Sequence, residues 1–263
     1  MQFFSLNNRK AFVTGGTRGL GKSMAEGLME AGAEVVIAGR GESVEEVAAE
    51  FRERGFCCQG VRMDLSDRID RERGFFEALT LLGGRIDILV NSAGMQRRHP
   101  SEAFPIEDWD QVLEVNLTAP FHLCQLAGRE MLKVGYGKII NLSSMNAFFG
   151  GSTIPAYAAG KGGINQLTKT LCNDWACRGI NVNAIAPGYM ATEMNAALMD
   201  PANPRFEEIT KRIPAKRWGA PEDMKGLCVF LASDASSYIN GAIIPIDGGY
   251  LAKSQLPDRK SVV

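Results

Sequence analysis

Thr14-Gly15-Gly16-Thr17-Arg18-Gly19-Leu20-Gly21 lies between a short apolar run, 10–14, and a helical stretch, 22–31. Glycines at 15, 19 and 21 allow a tight turn, close approach of a ligand to bare backbone, and close packing of helix on strand. The helix that follows presents unpaired amides and the positive end of its dipole to whatever the turn holds, which suits phosphate. A glycine cluster alone also describes an ordinary strand-to-helix turn. Its place directly after a first strand and at the start of a helix is the context that reads as a dinucleotide cradle. Gly15, Thr17, Arg18, Gly19, Leu20 and Gly21 are therefore expected at a cofactor site.

Outward from this turn, β-branched runs at 10–14, 34–38, 60–63, 86–90, 137–142, 181–185 and 243–246 alternate with amphipathic stretches. In 157–178, Ile164, Leu167, Leu171 and Trp175 recur at spacings of three and four, as on one face of a helix. Alternation of this kind predicts βαβ units, and uninterrupted apolar runs predict strands covered on both faces. The fold class expected is α/β: one Rossmann-type domain over 1–263, a doubly wound parallel sheet of about seven strands with helices on both faces. The stretch 189–218 breaks the rhythm with Pro201, Pro204 and Pro214. It reads either as a long surface loop or as a lid, since ordered insertions at the carboxyl end of such a sheet often cover the ligand. The polar tail after Tyr250 is expected to fray.

With 263 residues the chain can bury a core without disulfide or metal staples, and its net charge of −1 gives no basic footprint for nucleic acid or an anionic membrane. Six cysteines form no CxxC pair, and only His99 and His122 accompany them, so no zinc site is expected and the thiols read as reduced. No apolar run reaches the ~18 residues of a membrane span, nor does the N-terminus resemble a signal peptide. A soluble, cytoplasmic protein is the expectation.

Tyr157 and Lys161 are four apart and share a helix face. A free tyrosine, with a pKa of about 10, is a poor base at neutral pH, and a neighbouring ammonium would favour its phenolate. In isolation such a pair also fits any amphipathic helix. Ser144, thirteen residues before Tyr157 and just past the strand 137–142, sits at the sheet end where ligands bind.

These motifs resemble the short-chain dehydrogenase/reductase family along nearly the whole chain. The Thr-Gly-x-x-x-Gly-x-Gly spacing at 14–21 is similar to that family's cofactor turn, and Ser144 to Tyr157 matches its spacing. The resemblance implies that Tyr157 is general acid/base, Ser144 bonds the reacting oxygen, and Lys161 also holds the nicotinamide ribose. It implies a structural role for Ser143. Asp64 with Leu65 would contact adenine. Asn91-Ser92-Ala93-Gly94 resembles the family's Asn-Asn-Ala-Gly, which places Asn91, Ala93 and Gly94 at the cofactor. Pro187, Gly188, Met190 and Thr192 match the stretch holding the carboxamide. Asn116 matches the fourth member of the catalytic set. Pro120 lacks an N–H, so either the Asn116 carbonyl is freed to hold a relay water or the proline merely bends a helix. Members of the family are commonly homotetramers, and the segment after Trp218 with Asp247-Gly248-Gly249 is similar to their contact region.

In relatives that prefer NAD an acidic residue ends the second strand, whereas this chain reads Ala38-Gly39-Arg40. Arg18 and Arg40 would flank a 2′-phosphate, so NADP(H) is favoured, with NAD(H) still open. The segments around Gly94–Trp109, 186–192 and 213–219 resemble gluconate 5-dehydrogenases and 2-deoxy-gluconate 3-dehydrogenases. That resemblance implies a sugar-acid substrate, with Arg97, Arg98, Ser144, Met145, Asn146, Tyr157 and Tyr189 around it. An arginine at 97 or 98 would hold a carboxylate, or else the pair caps a turn or bonds an acid such as Glu102. Two other functions compete. A 3-oxoacyl thioester reductase would want basic surface for an acidic carrier. A nucleotide-sensing scaffold would be expected to have lost one of Asn116, Ser144, Tyr157 and Lys161, and all are present.

Overall fold

A computed structural model of the chain describes residues 2–200 and 202–252. Seven strands form one parallel sheet in the order β3-β2-β1-β4-β5-β6-β7: β1 Lys10–Thr14, β2 Glu34–Gly39, β3 Cys58–Arg62, β4 Ile88–Asn91, β5 Gly137–Leu142, β6 Ile180–Pro187 and β7 Ile243–Ile246. Strand order reverses between β1 and β4, and that reversal opens a crevice at the carboxyl edge. The expected strands are all present, β1, β5 and β7 with the expected bounds and the other four with shifted ends. Pairing with β2 starts β3 at Cys58 rather than 60, because Val35 pairs with Cys58. Strand β4 starts at Ile88 rather than 86: the buried Asp87 carboxylate is taken by the Lys10 amide and the Arg85 side chain.

Side-chain alternation sorts the core into two layers. Ala11, Val13, Val35, Ile37, Ile88 and Val90 face α1 (Gly19–Glu30), α2 (Ser43–Glu53) and α9 (Lys225–Ala232). Phe12, Val36, Leu89, Ile139 and Val182 face α3 (Arg68–Leu81), α5 (Ala119–Val134) and α6 (Pro155–Trp175). The connection from β4 also carries α4 (Ile106–Leu113), and a wide turn with i→i−5 bonding, Glu114–Thr118, joins it to α5. No described helix is long and apolar enough to cross a membrane.

The stretch 189–218 is ordered and not one loop. It holds α7 (Ala196–Met199) and α8 (Pro204–Arg212), and a bridge from Met190 to Gly219 closes its ends. Its core is a third apolar cluster of Met145, Ile209, Ile213, Trp218 and Tyr250. Pro201 and the tail beyond 252, expected to fray, lie outside the described residues.

Candidate active site

The glycine turn is a surface made of backbone. Gly15 and Gly19 have φ of 66° and 53°, which side chains disfavour. A Cβ on Gly15 would lie 2.9 Å from Ala93 Cα, and one on Gly21 would lie 2.1 Å from the Gly15 carbonyl oxygen. Arg18 makes no side-chain cap on α1, so the first amides of that helix face outward. The Thr14 hydroxyl accepts the amides of Ser92 and Ala93 at 3.1 and 3.3 Å, stitching the β1 turn to the loop after β4. A diphosphate fits this cradle, and added side chains would fill it.

A cleft of about 1640 Å³ runs from this turn to α8. The residues expected at the cofactor and substrate sites all line it except Asn91 and Asn116. Asn91 lies inside the sheet edge, its Nδ2 donating to Asn141 Oδ1 at 2.9 Å, so its side chain does not face a ligand. Asn116 is fully buried and its amide grips the turn at Met95: the Met95 amide donates to its Oδ1 at 3.0 Å and its Nδ2 to the Met95 carbonyl at 2.7 Å. The Asn116 carbonyl lacks its i+4 helical partner because residue 120 is a proline with no amide, as the sequence already showed. The wide turn is a separate feature that moves the Ala119 amide onto the Glu114 carbonyl.

At the crevice, Ser144 caps the turn Met145–Ala147, its Oγ accepting the Asn146 amide at 3.1 Å. Pro155 starts α6, so Tyr157 and Lys161 fall in its first two turns. Lys161 is 3% exposed; its Nζ donates to the Leu142 carbonyl at 2.6 Å and lies 5.7 Å from the Tyr157 ring centre. Burial brings the ammonium down to about 8. Burial also pushes the Tyr157 phenol above its ordinary value, opposed by the Ser144 hydroxyl and the charge of Arg98. Within the protein's own groups desolvation outweighs these attractions, and the expected help to the phenolate includes the positive charge of an oxidised nicotinamide. The neighbouring Ser143 hydroxyl is spent on Asn165 at 2.6 Å.

The arginines separate. Arg97 is held by Asp108 at 3.4 Å and by Gln111, so its partner is Asp108, not Glu102. Arg98 lines the cleft and has no carboxylate partner among the described residues. Arg18 is turned to Glu193 at 2.9 Å, towards 189–218, rather than standing free for a phosphate. Among the described residues Arg40 has no carboxylate partner; it lines the cleft and an adjoining pocket shared with Arg62, Arg73, Asp64 and Asp70. Glycine at 39 has a steric reason as well: a Cβ there would meet Thr17 Cγ2 at 2.8 Å. Sequence reasoning missed Arg205, Arg212 and Tyr250 at the far end. Their signal was the seven-residue spacing of the two arginines, hidden because 189–218 read as a loop or lid with no helix assigned within it.

Residues 15–251 match the adh_short_C2 family model, whose description reads Enoyl-(Acyl carrier protein) reductase. This chain belongs to the short-chain dehydrogenase/reductase family, oxidoreductases that act on a CH–OH group with NAD(P). It is 45% identical to 2-dehydro-3-deoxy-D-gluconate 5-dehydrogenase of Bacillus subtilis (strain 168), over 95% of this chain and 97% of that one. It is 41% identical to gluconate 5-dehydrogenase of Gluconobacter oxydans (strain 621H), over 94% and 96%. A gluconate 5-dehydrogenase from Burkholderia cenocepacia J2315, solved in complex with NADP and tartrate, superposes with a TM-score of 0.91 at 42% identity, covering 96% of this chain and 98% of that one.

Proposed function

We propose that this chain is an NADP(H)-dependent oxidoreductase that interconverts a secondary hydroxyl and a ketone on a C6 sugar acid of the gluconate or deoxygluconate type. The observation that carries this reading is the charge of the cleft. Arg98, Arg205, Arg212 and Lys161 line its substrate half. Among the described residues only two carboxylates line the cleft: Glu193, paired with Arg18, and Asp64, which accepts the amide and hydroxyl of Ser66 on the cofactor side. An anionic sugar is attracted there, and a neutral or cationic one is not. The sugar-acid relatives named above support the same class, as does the NADP complex of the Burkholderia cenocepacia enzyme. An acyl-carrier thioester has no such support beyond the wording of the family description.

In oxidation, Tyr157 as phenolate takes the hydroxyl proton while the C–H pair leaves the carbinol carbon, and reduction runs in reverse. Ser144 holds the reacting oxygen. Lys161, fixed by the Leu142 carbonyl, supplies positive charge beside the phenol, and the Asn116 carbonyl is free to hold a relay water. Gly15 to Gly21, Ala93, Gly94, Asp64, Leu65, Pro187, Gly188, Met190 and Thr192 would hold the dinucleotide, with the 2′-phosphate at Arg40. The bound nicotinamide supplies the hydride acceptor or donor. We further read the protein as one domain, a cytoplasmic homotetramer, with 189–218 acting as a lid.

Rates with gluconate, 2-deoxy-gluconate, 2-dehydro-3-deoxygluconate and their keto forms, each with NAD(H) and NADP(H), test the proposal. One of these acids should turn over best with NADP(H), and activity with none of them rejects the reading.

A further inference from the structure

The cleft offers a sugar acid two sets of cations, on different elements. Arg98 lies on the loop after β4, and its charge reaches the Tyr157 phenol. Arg205 and Arg212 lie on α8. Seven residues span close to two helical turns, so these two project from one face of that helix. Both line the cleft.

The placement of α8 is built. Asn203 caps it, its side chain accepting the Arg205 amide at 3.0 Å. Ile209 is buried in the third apolar cluster, Phe206 stacks on Trp218 with ring centres 5.9 Å apart, and the Trp218 indole N–H donates to Thr210 at 2.9 Å. These contacts leave the arginine face towards the cleft. The Arg212 guanidinium carbon sits over the Tyr250 ring, 4.3 Å from its centre, a cation–π contact that anchors the side chain. Tyr250 is in turn packed on Tyr189 and Phe149, 5.3 and 6.0 Å away. Among the described residues neither Arg205 nor Arg212 has a carboxylate partner, and Glu207 on the same helix is paired with Lys211. A guanidinium anchored over an aromatic ring, without a carboxylate partner and lining a cleft, is suited to a bidentate carboxylate.

In an acid that reacts at C3 or C5 the carboxylate is separated from the reacting carbon by at least two bonds. Arg98 lines the cleft from the loop after β4, the side of the site that carries Gly94, so it is suited to an oxygen near the reacting carbon. The carboxylate needs a cation further off. We infer that Arg212, with Arg205 two turns earlier on the same helix face, is the receptor for the substrate carboxylate. The inference rests on the sugar-acid reading above and assigns its specificity to the segment 189–218.

A complex that cannot turn over tests this directly. Gluconate is titrated into enzyme holding NADPH, both partners being reduced, and binding is read from NADPH fluorescence. Arg212→Ala should weaken gluconate ~10–100-fold, the worth of a charge-assisted hydrogen bond. Arg212→Lys should recover part of that, since it keeps the charge and loses the fork. In turnover, KM for the acid should rise far more than kcat falls, whereas Arg98→Ala should act mainly on kcat. Equal gluconate affinity in wild type and Arg212→Ala overturns the assignment. So does loss of NADPH binding in Arg212→Ala, which would mark a role in folding. Wild type that binds no C6 sugar acid, with NADPH binding intact, overturns the sugar-acid reading instead, and this inference falls with it.

Discussion

The two ends of the cleft are made of different material. At the cofactor end the surface is backbone: Gly15, Gly19 and Gly21 bring amides and carbonyls to the ligand, a Cβ on Gly15 would clash with Ala93 and one on Gly21 with the Gly15 carbonyl, and Gly19 is required by its positive φ. At the substrate end the surface is side chain: Tyr189 and Tyr250 packed edge to face, with Trp218 against Tyr189 behind them, and Arg205 and Arg212 carried on a short helix. The first kind of surface suits a ligand part common to many enzymes and tolerates almost no substitution. The second can change its ligand by changing single residues.

The largest effects should come from the chemistry where the two ends meet. Tyr157→Phe keeps the packing ring and loses the titrating hydroxyl, so turnover should fall by at least ~10²-fold while NADPH still binds, as fluorescence titration would show. Near-normal turnover would mean that the proton moves by another route. Breaking the backbone end comes next. In Gly21→Ala the new methyl meets the Gly15 carbonyl, the turn must shift, and NADPH affinity should fall ~10-fold or more in the same titration. Unchanged affinity would mean that the turn is not the cradle.

Smaller changes sharpen the comparison at its edges. Among the described residues Arg40 has no carboxylate partner, whereas Arg18 is engaged by Glu193. Arg40→Ala should therefore cost about tenfold of the NADP(H) preference over NAD(H), measured as a ratio of kcat/KM, and Arg18→Ala less. Equal losses would mean that the phosphate pulls Arg18 away from Glu193. The smallest effect is on pH. Burial raises the Tyr157 phenol and Arg98 lowers it, so Arg98→Gln should move the rising, acid-side limb of kcat/KM for oxidation to higher pH. The sign follows because the phenolate is the active form and loses a favourable charge. A shift to lower pH would contradict the placement of Arg98.

The same contrast explains what the sequence showed. Local constraint writes itself into local residues. Gly15 and Gly21 are needed where a Cβ collides, and runs such as 10–14 and 137–142 are apolar because both faces of those strands are covered, so the sheet and the cradle were legible. Tyr157 and Lys161 were legible as one helix face, and Ser144 through the spacing that resembles the family. Properties fixed at long range were not. That Asn91 turns to Asn141, that Arg97 is taken by Asp108 and Arg18 by Glu193, and that desolvation lifts Tyr157, all depend on groups distant in the chain. The wide turn at Glu114–Thr118 left no pattern that a local reading could find. Helix α8 was hidden by the prolines around it, and its arginines with it.

The central claim is that the cationic end of this cleft selects a sugar acid over an acyl thioester. The most direct test is kcat/KM for 5-keto-gluconate or 2-deoxy-3-keto-gluconate against that for a 3-oxoacyl thioester, with NADPH saturating. A bidentate carboxylate contact at an otherwise uncompensated arginine is worth at least ~10-fold, and two such arginines ~10²-fold. The account predicts that the better keto acid exceeds the thioester by ~10²-fold or more. A thioester that equals or exceeds both keto acids would contradict it.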